Sequence, residues 1–243
     1  PWPELAAVGF VLVMSLVFGL VAMRAHGMVF LMLTLALGQI CWAFARQNTS
    51  LLHGWAGIRG IRPGTWLGID FSHYVNFYWL SLACFLVGLW LMWRLRESPF
   101  GLALNGIRES PRRMAALGYP VYGMRVAVFV IAALYAGVGG ILSAYATGVV
   151  TPTTLQLSRM IWVLLVVILG GVHYFWGPVV GTVVAVALDV IISQLTPRYN
   201  TVIGLIFVAV VLLAPNGILG LLDQVRQNRR SQSLRRSRLD SVS

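Results

Sequence analysis

The chain has 243 residues, 58% of them hydrophobic and only 10% charged, where a soluble domain carries about 25% charged residues. Apolar runs of about 20 residues recur along it, which excludes a large water-soluble catalytic domain and indicates a polytopic membrane protein. All 18 basic residues are arginine and the net charge is +11; in a membrane protein such charge marks the cytoplasmic face, so no nucleic-acid partner is expected.

The opening PWPELAAVGF has no initiator Met and no basic region ahead of a cleavage site. It is therefore no signal peptide, and it reads as a chain that begins partway through a larger gene product. Apolar segments are predicted at about 5–23, 27–45, 74–95, 126–148, 159–172, 177–195 and 201–222. About 20 residues at 1.5 Å each cover the roughly 30 Å hydrocarbon layer, so the expected fold is an all-α transmembrane bundle of about seven spans. The fifth segment is short for a span and is expected to be tilted, broken or shielded. Residues 1–223 read as one transmembrane domain, and 224–243 as a basic tail lying in the cytoplasm or against anionic lipid.

Arginine placement orients the bundle. The loop over 94–125, the tail and Arg24 hold thirteen arginines, against five at 46, 59, 62, 159 and 198. By the positive-inside rule the loop and the carboxy terminus are cytoplasmic and the amino-terminal end is outside. The loop over 46–73 then lies outside, with Trp55 and Trp66 fitting an aromatic belt.

Within the cytoplasmic loop (about 96–125) a short helix is predicted. Ser110 suits the N-cap and Pro111 the first turn. Gly118 suits the left-handed residue that ends a helix, and Pro120 prevents continuation. Arg108, Arg112 and Arg113 carry its charge; Met114, Ala115 and Leu117 give it a small apolar surface. Two turns are not stable alone in water, so this helix needs something to pack against. It is either a loop lying among lipid headgroups or a docking element for a cytoplasmic partner.

Few polar residues fall inside the spans. Asp189 is read as the only acid there, either hydrogen-bonded to a neighbouring helix or facing a pathway or gate. Thr34 and Gln39 are read the same two ways. Gly137, Gly139 and Gly140, and Gly170, Gly171, Gly177 and Gly181, allow close helix approach. The 170–181 run, with Pro178, also fits a broken helix lining a cavity. His26, His53, His73 and His173 have no metal-ligand spacing, Cys41 and Cys84 form no framework, and no catalytic triad or carboxylate pair is evident. Neither a catalytic residue nor a metal site is expected.

Several stretches, in order, resemble bacterial ABC-importer permeases of the branched-chain amino acid type, the LivM/LivH family. Ile107, Arg108 and Glu109, followed by Ala115, Ala116, Leu117, Gly118 and Arg125, resemble that family's coupling loop. So do HGMVFLMLTLALGQI (26–40), GGILSAYATGVVTPTT (139–154), ILGGVHYFWGPVVGTVV (168–184) and IGLIFVAVVLLAPNGILGLL (203–222) for its later segments. The family carries further spans before the region matching residue 1. The resemblance implies a non-enzymatic permease subunit of an ATP-driven importer, multi-pass in the bacterial inner membrane, for branched-chain or related small amino acids. It implies coupling through Arg108 to Arg113, Ala115, Leu117 and Gly118. It also implies two cytoplasmic ABC ATPase subunits, a second homologous permease and an extracytoplasmic binding protein. No GxxxxGK[ST] loop is present, so the chain is expected to bind no cofactor, ATP being used by the partner. Urea or short amides are the alternative cargo. An ion-coupled secondary transporter, with Asp189 carrying a proton, and an intramembrane enzyme using His173 or Asp189 are the competing classes.

Overall fold

The computed structural model describes residues 2–48, 57–61, 65–66, 69–70, 74–172, 174–195, 204–205, 217 and 219–220. It contains α1 (Trp2–Ala22), α2 (Met28–Gln47), β1 (Ile58–Arg59), β2 (Thr65–Trp66), β3 (Ile69–Asp70), α3 (Tyr74–Glu97), α4 (Pro99–Glu109), α5 (Pro111–Ala116), α6 (Val121–Thr147), β4 (Val149–Val150), a 3-10 turn (Pro152–Leu155), α7 (Leu157–Gly170) and α8 (Gly177–Leu195). The chain divides after Leu155 into two compact units.

The all-α expectation holds. Among the described residues α1, α2, α3 and α6 are long and apolar enough to cross a membrane. The short fifth segment is α7, whose 14 residues reach only about 21 Å at 1.5 Å per residue. The segment predicted at 201–222 lies largely outside the described residues, and the tail at 224–243 wholly so. Two expectations need correcting. Helix α6 starts at Val121 rather than about 126, so Arg125 sits inside it. Asp189 is not the only acid in an apolar helix, because Glu4 occupies the first turn of α1.

In the first unit, α1 and α6 pack antiparallel, because small residues on one meet large ones on the other. A Cβ on Gly19 would come within 3.1 Å of the Phe129 ring, and one on Gly137 within 3.0 Å of Val11. Hydroxyls fix the register at both ends. Tyr122 donates to the Leu20 carbonyl at 2.7 Å, and Tyr145 donates to Glu4 Oε1 at 2.6 Å. Of the other two glycines predicted to pack, neither Gly139 nor Gly140 meets anything within 4 Å. Helices α2 and α3 have no buried residue, and their exposed Leu, Val, Trp and Met side chains suit contact with lipid.

An antiparallel ribbon pairs β1 with β4, Ile58 opposite Val150 and Arg59 opposite Val149. The amides of Gly60 and Ile61 add bonds to the Gly148 carbonyl at 3.0 and 3.2 Å. Gly57, at φ +65, is required here: a Cβ would strike the Val150 carbonyl. Strand β1, ahead of α3, therefore meets β4, just after α6. Arg46 stands over the Trp42 ring at 4.7 Å. In the second unit Arg159 stands over Trp162 at 5.6 Å. Two of the arginines assigned off the basic face, Arg46 and Arg159, thus pair with aromatic rings as cation–π contacts.

The second unit is built on α7 and α8, which form a hairpin with Val166, Leu169 and Ala185 buried between Trp162, Leu165 and Val184. A Cβ on Gly170 would collide with the Gly177 carbonyl, one on Gly177 with the Gly171 carbonyl, and one on Gly181 with the Val166 carbonyl. Backbone lies against backbone at these three positions, so these glycines are packing residues.

Candidate functional site

The loop read as holding one short helix holds two. Helix α4 was missed: its sequence PFGLALNGIRE carries Pro, Gly and Asn and reads as irregular. It forms because Ser98 caps it. The Ser98 hydroxyl accepts from the Gly101 amide at 3.3 Å, and Pro99 fills the first turn. Gly101, Ala103 and Ile107 are buried, which gives α4 one apolar face.

Ser110, extended at φ −152° and ψ 93°, ends α4 and begins α5. The expectation for its side chain is corrected: Ser110 holds the N-cap position but makes no side-chain capping bond, its carbonyl accepting from the Met114 amide at 3.2 Å while Pro111 fills the first turn of α5. The expected end is as predicted. Gly118 takes φ +87. Its amide bonds to the Ala115 carbonyl at 3.0 Å, and the Tyr119 amide reaches back to Met114 at 3.1 Å. That pair of bonds is a Schellman motif.

What α5 needs to pack against is α4. The Met114 sulfur would lie 2.7 Å from a Cβ on Gly106, so Gly106 is the socket for Met114. Both helices also contact α6. Arg108 and Glu109 close α4, while Arg112, Arg113 and Ala115 lie on α5; all are exposed. Leu117 is 72% exposed and Leu102, on α4, is 66% exposed, with Tyr119 and Tyr122 beside them in sequence also exposed. A buttressed two-helix element thus exposes both apolar and basic side chains. The exposure of Leu102 and of the two tyrosines was not anticipated from the sequence.

The intramembrane candidates separate. Thr34 bonds the carbonyls of Phe30 and Leu31 on its own helix, each at 3.0 Å, which is the bland reading. Gln39 differs: its Nε2 and the indole nitrogen of Trp42, one turn further along α2, are both buried with no acceptor among the described residues. Trp42 was missed because an aromatic residue in a span reads as lipid-facing. Gly170, Gly171 and Pro178 belong to the hairpin: Gly171 takes φ +110 and ends α7, and Pro178 lies in the first turn of α8. Asp189 stands exposed on α8, with no hydrogen bond or ion pair among the described residues. The neighbouring-helix partner expected on the bland reading is therefore not within that set.

A cavity of about 700 Å³ between α3 and α6, lined by residues such as Cys84, Gly88, Tyr135 and Val138, is almost wholly apolar. No group of three or more His, Cys, Asp or Glu side chains comes together among the described residues. His53, His73 and His173 lie outside them.

Comparison with known proteins accords with this architecture. The profile of the family described as "Branched-chain amino acid transport system / permease component" matches residues 3–214. The high-affinity branched-chain amino acid transport system permease protein LivM of Salmonella typhimurium is 27% identical over 241 residues, covering 88% of this chain and 54% of the relative. The protein of the same name from Escherichia coli K12 gives the same figures. A probable branched-chain amino acid transport permease protein LivH of Methanocaldococcus jannaschii is 30% identical over 145 residues, covering 56% of this chain and 45% of the relative. The chain spans about half the length of the LivM relatives it matches. No solved structure matches it significantly. With a matching profile that runs from α1 past α8, this chain belongs to the permease-component family of branched-chain amino acid transport systems.

Proposed function

We propose that the chain forms part of the membrane-spanning subunit of an ATP-driven ABC importer for branched-chain or related small amino acids. The observation that carries this reading is the α4–α5 element, a Schellman-terminated helix seated on a second helix through Met114 and Gly106. A helix so buttressed transmits a push rather than folding under it. Its exposed Leu117 is the tip, and Arg108, Arg112 and Arg113 with Glu109 set register on a partner through charge-assisted bonds. Because both α4 and α5 contact α6, displacement of the tip reaches a spanning helix. Two packings of the spans, outward- and inward-open, are then biased by nucleotide on the partner.

On this reading two cytoplasmic ABC ATPase subunits bind and hydrolyse ATP, and this chain binds no cofactor. A second homologous permease completes the pathway, and an extracytoplasmic binding protein delivers substrate. The protein is multi-pass in the bacterial inner membrane, with the α4–α5 side and the carboxy terminus in the cytoplasm.

The test is recovery of the assembly. The tagged full-length protein is purified in mild detergent and its partners identified by mass spectrometry, beside Leu117→Arg. An ATPase subunit that accompanies the parent protein and is lost from the folded variant supports the reading. Folded parent protein with no ATPase partner sinks it.

A further inference from the structure

Asp189 is the feature left without a role. It lies in the second half of α8, an apolar helix with no other charged residue. A carboxylate exposed on such a helix is costly in lipid and persists where water or a cation meets it. The arginines of the described long helices lie toward helix ends: Arg46, Arg94 and Arg96 in last turns, Arg125 near the start of α6, and Arg159 near the start of α7. A second copy of this chain would therefore offer no mid-helix arginine to pair with Asp189 from those helices.

Beside Asp189 runs a shallow groove of about 600 Å³ lined by Thr182, Val183, Val186, Ala187, Val190 and Ile191. Val186 lies three residues before Asp189 and so on the same side of the helix. Among the described lining residues only Thr182 has a polar side chain, and its hydroxyl donates to the Pro178 carbonyl at 2.7 Å. A carboxylate with no partner among the described residues, beside a small apolar groove, matches a ligand with a cationic amine and a short apolar body. We infer that Asp189 receives the ammonium group of the transported amino acid and that the Val186–Val190 groove receives its apolar side chain. This inference rests on the importer reading above. It also separates amino acids from urea and short amides, which carry no cation.

The experiment is uptake of radiolabelled leucine and valine into vesicles holding the complete importer, with binding protein saturating. Parent protein is compared with Asp189→Asn and Asp189→Glu, and copurification of all subunits is checked for each. The expected result is an uptake rate reduced on the order of tenfold or more in Asp189→Asn. Assembly should be intact, and uptake partly restored in Asp189→Glu. Parent-like uptake by Asp189→Asn overturns the inference and leaves the importer reading standing. Loss of subunits from Asp189→Asn also overturns it, by making the carboxylate an assembly contact. Absence of amino-acid uptake by the parent importer overturns both.

Discussion

Gly181→Ala is the sharpest probe of the α7–α8 seam. The added methyl would sit 2.9 Å from the Gly170 nitrogen and 3.1 Å from its Cα, and nearer still to the Val166 carbonyl oxygen. All three are backbone atoms, so no rotamer change relieves the clash and the helices must part by about 1 Å. A gap of that size forfeits a quarter to a half of each contact across it. Those contacts include Val166 and Leu169 against Ala185, which form the core of this unit. The cost is expected at about 3 kcal/mol, in the upper part of the overpacking range. Chains of this size lose about 2–4 °C per kcal/mol, so the apparent unfolding temperature in detergent should fall by about 6–12 °C. Gly140→Ala is the matched control. It lies in α6 with nothing within 4 Å, and relief of the helical glycine penalty should leave stability unchanged or raise it by up to about 1 kcal/mol. Equal unfolding temperatures for the two variants would refute the backbone-to-backbone account of the hairpin.

Two further outcomes concern single polar groups. Ser98→Ala should cost about 1 kcal/mol, because its hydroxyl caps α4, whereas Ser110→Ala should stay within about 0.5 kcal/mol; thermal unfolding of the pair checks the order, and a larger loss for Ser110→Ala would contradict it. Gln39→Met removes a buried donor that has no acceptor among the described residues and should stabilise the protein by about 1 kcal/mol. A drop of similar size in the same assay would mean that the amide has a partner.

The long helices were legible because uninterrupted apolar runs have one stable form in lipid. The end of α5 was legible for a local reason, since Gly118 followed closely by Pro120 admits little else. Helix α4 was not, because PFGLALNGIRE has poor intrinsic propensity and owes its form to the Ser98 cap and to burial of Ala103 and Ile107. Glu4 escaped notice because the predicted span was started one residue after it; its place in the first turn of α1 and its bond to Tyr145 explain an acid there. The pairing of Ile58 with Val150 had no signal either, as two-residue strands show no alternation to read. Asp189 was legible as a candidate by its charge alone; what the structure adds is its lack of a partner on the described helices and the groove beside it.

That same ribbon sets an order on biogenesis. Its partners, Ile58 and Val150, are 92 residues apart. At roughly 5–20 residues per second, a ribosome needs about 5–18 s after making the first strand to make the second. Through that interval α3, α4, α5 and α6 must emerge and α6 must be threaded across the bilayer. Strand β1 therefore waits without its partner strand until the end of α6 arrives to close the ribbon.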